Sequence, residues 1–143
     1  MGNRSSAKKS TQRTTDSKEV KSSYDGYISF SFRYFQNYDK EPVQSLNSWQ
    51  DENRLLDMLE SLKYISQNHI TKLRTDEKLA LYGSFPDSKV NDFPLPNQFN
   101  GTENWGTLRN IGGQQVRIAG FLRDNIFYIV YLDKEHRFYK SNK

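Results

Sequence analysis

The chain has 143 residues, of which 34% are apolar, with nine Phe, nine Tyr, two Trp, no Cys and a formal net charge of +4. That length is enough to bury one core without cross-links, and the lack of cysteine excludes a disulfide framework, a thiolate metal site and a cysteine nucleophile. No apolar run approaches the roughly 20 residues needed to cross a bilayer, so the expectation is a cytoplasmic protein with no membrane span.

Residues 1–23 carry Arg4, Lys8, Lys9, Arg13, Lys18 and Lys21 against Asp16 and Glu19, while the remaining 120 residues carry 15 basic and 15 acidic side chains. The whole net charge therefore sits at the start of the chain. Val20 is its one large aliphatic residue after Met1 and it has no aromatic, so it cannot bury enough apolar surface to offset its ordering entropy and reads as a disordered basic tail. Such an arm either solubilises the protein or neutralises phosphates of nucleic acid or of an anionic membrane. Met1, Gly2 and Ser6 also fit the N-myristoylation pattern, with Lys8, Lys9 and Arg13 as the electrostatic second signal, although so short a pattern arises easily by chance. Residues 24–143 read as a single α+β domain.

From Tyr27 the residues alternate, Ile28, Phe30, Phe32 and Tyr34 against Ser29, Ser31 and Arg33, which predicts a half-buried strand. Asn37 to Ser48 reads as a loop containing Pro42. Ser48 with Asp51 resembles a capping arrangement, and Leu55, Met58, Leu59, Leu62 and Ile65 recur at helical spacing, which predicts a helix from about Trp49 to Ser66. His69 to Tyr82 reads as a short second helix or an irregular segment with Ile70, Leu73, Leu79 and Leu81 turned inward, and His69 as a surface residue. Pro86, Pro94 and Pro96 among Asp, Asn and Ser mark Phe85 to Gly101 as a long loop anchored by Phe93, Leu95 and Phe99. Trp105 to Ile111 begins another strand, and the Gly112–Gly113 pair is a turn. Gln115 to Leu122 and Ile126 to Leu132, joined by Arg123, Asp124 and Asn125, predict a hairpin. Its second strand is apolar on both faces and therefore central. His136 to Lys140 is expected to close the sheet as a short last strand. The expected architecture is an N-terminal strand and helix followed by a C-terminal antiparallel β-meander.

No zinc spacing, P-loop, dinucleotide fingerprint or G-x-S-x-G elbow occurs, and no metal or cofactor is expected. The residues that can carry chemistry lie on the C-terminal sheet. Arg117 shares a strand face with Ala119 and Phe121, opposite Val116 and Ile118; His136, Arg137, Tyr139 and Lys140 follow within five residues, and Arg109 lies upstream. If 136–140 were a strand, His136 and Phe138 would share one face, Arg137 and Tyr139 the other. Cleavage of RNA by its own 2′-hydroxyl needs a proton acceptor, a proton donor and cations for the charge that builds on phosphate, and these residue types can fill those roles. The plainer alternative makes Arg117 and Arg137 surface cations, with His136 and Tyr139 finishing an edge strand.

The run Arg117 to Lys140, RIAGFLRDNIFYIVYLDKEHRFYK, together with the order of strand, helical region and antiparallel sheet, resembles the RelE/ParE-type superfamily of bacterial toxins. The resemblance covers about 25 residues well and the rest only in element order. It implies a metal-independent endoribonuclease, acting on RNA or at the ribosome and restrained by an antitoxin protein. It further implies that Arg117 holds the scissile phosphate, that His136 or Tyr139 transfers protons with Arg137 beside them, and that Arg109, Lys72 and Arg74 bind substrate. The Phe85 to Gly101 loop is long for such toxins, the basic tail is unusual, and the middle of the chain lacks their dense lysine cluster. Two alternatives stand beside this reading. One is a non-catalytic phage, plasmid or prophage protein that binds a host-takeover or defence-related partner, favoured by the near-neutral globular part. The other is a nucleic-acid-binding module in which aromatic side chains stack bases.

Overall fold

The computed structural model describes residues 25–140, so the expected basic tail and its acylation pattern lie outside the described residues. The elements are β1 (Ser29–Ser31), α1 (Leu46–Asp51), α2 (Leu55–Ser66), α3 (Ile70–Thr75), β2 (Leu79–Leu81), β3 (Asn104–Arg109), β4 (Arg117–Arg123) and β5 (Ile126–Asp133). They form an α+β fold around one five-stranded sheet in the order β1-β5-β4-β3-β2. β2 to β5 make an antiparallel meander, and β1 lies parallel beside β5, so the sheet is mixed. Among the described residues no helix is long and apolar enough to cross a membrane.

The hairpin between β4 and β5 forms where the turn chemistry placed it, with Asp124 in the left-handed region at φ 57°. Because β5 is flanked by strands and covered on both faces, Phe127, Ile129 and Leu132 enter one core while Tyr128, Val130 and Tyr131 enter another. A bulge makes this possible. Ala119 pairs with Tyr131 and Gly120 with Ile129, leaving Val130 as the extra residue, whose carbonyl accepts from the Gln36 N–H at 3.0 Å. A side chain at Gly120 would meet the Tyr128 carbonyl oxygen at 1.9 Å, so only glycine allows the two strands this approach.

Three expectations are corrected by the structure, and a fourth, the short helix after His69, is met and extended by a strand. The alternation from Ile28 to Tyr34 yields only three strand residues, because the chain turns after Ser31 with the Arg33 N–H on the Ser31 hydroxyl; Phe32 is left exposed and Tyr34 crosses to the other core. The helix expected over 49–66 is two helices. Ser45, not Ser48, caps α1, and α1 ends in a Schellman motif: Asn53 takes φ 60°, its N–H bonds Gln50 O, and the Arg54 N–H bonds Trp49 O. Leu59 faces outward, whereas Met58, Leu62 and Ile65 are buried. The 69–82 segment splits into α3 and the edge strand β2, with His69 capping α3 by accepting from the Thr71 N–H. Finally, His136–Lys140 is not a strand. The buried Asp133 carboxylate accepts the Arg137 and Phe138 N–H groups, winding 134–138 into a turn in which His136 takes φ 62° and Phe138 plugs the core.

The helices cover one face of the sheet through Trp49, Met58, Leu62, Ile65 and Leu73. The other face is covered by the long segment between β2 and β3, whose Phe85, Phe93, Leu95 and Phe99 pack on Trp105, Phe121 and Phe138. Phe93, Leu95 and Phe99 are the anchors that the sequence pointed to.

Candidate functional site

Alternation along β4 sends Ile118 to the helix side and Arg117, Ala119 and Phe121 to the loop side. The register aligns Arg117 with Arg109 on β3 and with Asp133 on β5, so one row across the sheet reads Arg, Arg, Asp. Two like charges directly opposite each other are destabilising in a sheet, and here one of them is also buried, with 7% exposure for Arg117. Among the described residues no carboxylate lies within ion-pair distance of Arg117. Asp133 spends its oxygens on backbone N–H groups instead, and burial pushes its pKa up. Among the described residues the Arg117 guanidinium makes one hydrogen bond, from Nη1 to Gln114 O at 2.8 Å. A guanidinium has five N–H donors. Those left over are not sealed in, since the only enclosed side-chain polar atom without a partner among the described residues is Asn91 Nδ2. Arg117 thus keeps donors that are neither sealed in nor spent on the protein. Burial, and secondarily Arg109, works against its charge, while Tyr82 and the neighbouring Asp133 favour it without an ion-pair contact.

Around this cation stand four further side chains. His136 is half-buried on its tight turn, and burial, then Arg117 and Arg109, push its pKa down against a hydrogen bond with the Tyr139 backbone that raises it, so the surroundings favour the neutral imidazole, which can accept a proton. The Tyr82 hydroxyl, one residue past β2, shares a hydrogen bond of 2.9 Å with Thr107 Oγ1 on β3. Burial raises the Tyr82 pKa, while the Thr107 bond and the charges of Arg109 and Arg117 pull it down. Tyr139 is 40% exposed and stacks on Tyr82 with ring centroids 4.3 Å apart. Arg109 is half-buried, and its one carboxylate partner is the exposed Glu77 at 3.8 Å.

Of the residues singled out from sequence, Arg117, Arg109, His136 and Tyr139 come together here; three others do not. Arg137 is turned away and engaged by Asp92 at 2.9 Å, by Glu41 and by Glu135 at 3.7 Å, so it ties the C-terminal turn to the long segment. The Asp92 bond leads the effects that raise its pKa. Lys72 pairs with Asp76 at 2.7 Å, and Arg74 is exposed; both lie on α3, which packs through Leu73 into the core on the opposite side of the sheet. They cannot share a ligand atom with Arg117. Sequence reading missed Tyr82, Thr107 and the Gln114 carbonyl. Tyr82 had a signal: Leu79 and Leu81 alternate with Ala80 and Tyr82, a period of two that puts Tyr82 opposite the leucines.

Among the described residues no group of three or more His, Asp or Glu is arranged to hold a metal ion. Comparison with protein families, curated proteins and solved structures yields no match to this chain.

Proposed function

We propose that this cluster binds a phosphate of an RNA backbone and cleaves the strand through its 2′-hydroxyl, as a RelE-like endoribonuclease toxin of a bacterial toxin–antitoxin or mobile-element system. The observation that carries the reading is Arg117, a buried cation with no carboxylate within ion-pair distance among the described residues, set opposite Arg109 and near His136. A buried charge left unpaired is costly, and an anionic ligand supplies the missing partner. Arg117 and Arg109 would bind the non-bridging oxygens by charge-assisted hydrogen bonds and stabilise the charge that grows there. His136 would take the 2′-hydroxyl proton, and the departing 5′ oxygen would take a proton from the Tyr82 hydroxyl. Burial disfavours the resulting tyrosinate, and the two arginines acting on Tyr82 offset part of that cost. The products are a 2′,3′-cyclic phosphate and a 5′-hydroxyl.

The test is inducible expression in a bacterium, with growth and RNA integrity followed together, and cleavage assays on purified protein with and without chelator. Arg117→Ala is expected to lower cleavage by about 100-fold or more, and chelator to change nothing. Full growth and intact RNA at high expression of the parent would refute cleavage. That outcome would favour the alternative of a non-catalytic phage, plasmid or prophage protein that binds a protein partner, a reading supported by the exposure of Leu56 and Leu59 at 66% and 57% on the outer face of α2.

A further inference from the structure

Beside the arginine row lies a groove of about 490 Å³, within the roughly 300–1,000 Å³ range of small-ligand sites. Tyr82 and Tyr139 form one wall, and Phe85, Pro86, Asp87 and Lys89 from the long segment form the other. Tyr82 belongs to both places: its hydroxyl reaches Thr107 near the two arginines, and its ring backs the stack with Tyr139 that lines the groove. The far wall is held in position. Phe85 packs edge-on against Trp105 and Phe138, its N–H bonds Gly101 O at 2.9 Å, and the Lys140 N–H reaches across to Val90 O at 2.7 Å. Asp87 is exposed, and its Oδ1 accepts from the Lys89 N–H at 2.8 Å; the Lys89 ammonium has no ion-pair partner among the described residues.

We infer that this groove is a nucleobase subsite, in which the base flanking the phosphate on Arg117 extends the Tyr82–Tyr139 stack while Lys89 faces the next phosphate. This rests on the reading of the Arg117 cluster as an RNA-backbone site and adds that the substrate is single-stranded there, since a base can enter the groove only when it is unpaired. The exposed ring of Tyr139 provides a flat π-surface open to solvent, and base–aromatic stacking of this kind tolerates any base. The Asp87 carboxylate adds an acceptor for the amino or imino N–H groups of guanine or the amino group of cytosine. The wall that carries it comes from the long 85–101 segment by which the chain departs from the toxins it resembles.

The experiment is calorimetric titration of the full chain with a 2′-O-methyl trinucleotide, which cannot be cleaved, and with the same backbone made abasic at its central position. The base-bearing probe is expected to bind about tenfold more tightly. Tyr139→Ala should abolish that difference, with the fold certified by far-UV circular dichroism, and Tyr139→Phe should preserve it. Equal affinities for the two probes, with binding retained, would overturn the base subsite and leave the phosphate site standing. Binding of neither probe would overturn both. A tenfold preference in a protein that leaves cleavable RNA intact would uphold the subsite while the cleavage reading failed.

Discussion

The two faces of the sheet are built from the same strands and finished differently. The helix side is sealed by Trp49 and aliphatic side chains from α1, α2 and α3 packed on Leu108, Ile118, Ile129 and Leu132, and it buries no charged residue. The loop side is closed by aromatic rings from a segment with no regular structure of its own, which interlock edge-to-face around Trp105 and Phe121. Where β4 begins, this side keeps a buried arginine, a half-buried histidine and a hydrogen-bonded tyrosine. A face that only holds the fold together has no use for such groups. One side of the sheet thus supplies stability, and the other gives up some of it to hold a charged site.

The largest expected effects test that division. Ile129→Ala on the helix side should cost about 2 to 5 kcal/mol in urea unfolding, and Trp105→Ala on the loop side about 3 to 5 kcal/mol. Only the second should also weaken phosphate binding by the folded protein, because Trp105 seats Phe85 beside Tyr82 and its carbonyl accepts the Tyr82 N–H. If both variants weaken binding alike, the faces are not functionally separate. A middle-sized effect concerns His136. With its pKa lowered in the folded state, the native protein binds fewer protons than the unfolded chain, so this residue makes stability rise with pH up to about the ordinary histidine value of 6.5 and removes that contribution on acidification below it. Cleavage should fall over the same range as the base protonates, whereas phosphate affinity should increase, since the imidazolium adds a cation. His136→Gln should flatten both trends; an unchanged profile would remove His136 from the site. The smallest effects are expected for Lys72→Ala and Arg74→Ala, each within about 0.5 kcal/mol in stability and with RNA cleavage unaltered. A marked loss of cleavage would show that the substrate wraps around to α3.

What the sequence made readable was whatever repeats with a period. The alternation in β4 gave the face of Arg117, and the doubly apolar run in β5 gave its interior position. Features set by single backbone conformations were not readable. Asn53 and Glu77 each end a helix in the left-handed region where glycine usually stands, and both helices close with the same pair of Schellman bonds, so the breaks carry no glycine signal. The turn at 134–138 depends on Asp133 capping N–H groups four and five residues ahead, which local alternation of His136, Phe138 and Lys140 conceals. For the same reason Arg137 and His136 exchanged prominence: the arginine is consumed by three carboxylates, and the histidine is turned toward the arginine row. β2 has only three residues, so the alternation of Leu79 and Leu81 with Ala80 and Tyr82 that marks Tyr82 is short and easily passed over.

The most direct test of the central claim, that Arg117 is a cation held in reserve for an anionic ligand, is thermal unfolding of the parent and of Arg117→Met in increasing phosphate at constant ionic strength. Without phosphate the variant should be as stable as the parent or more so, by about 1 kcal/mol, because an apolar side chain replaces a buried unpaired charge and the exposed Gln114 carbonyl returns to water. With phosphate the midpoint of the parent should climb and that of the variant should stay level. A variant that is less stable by several kcal/mol without phosphate, or that gains as much from phosphate as the parent does, would contradict the account.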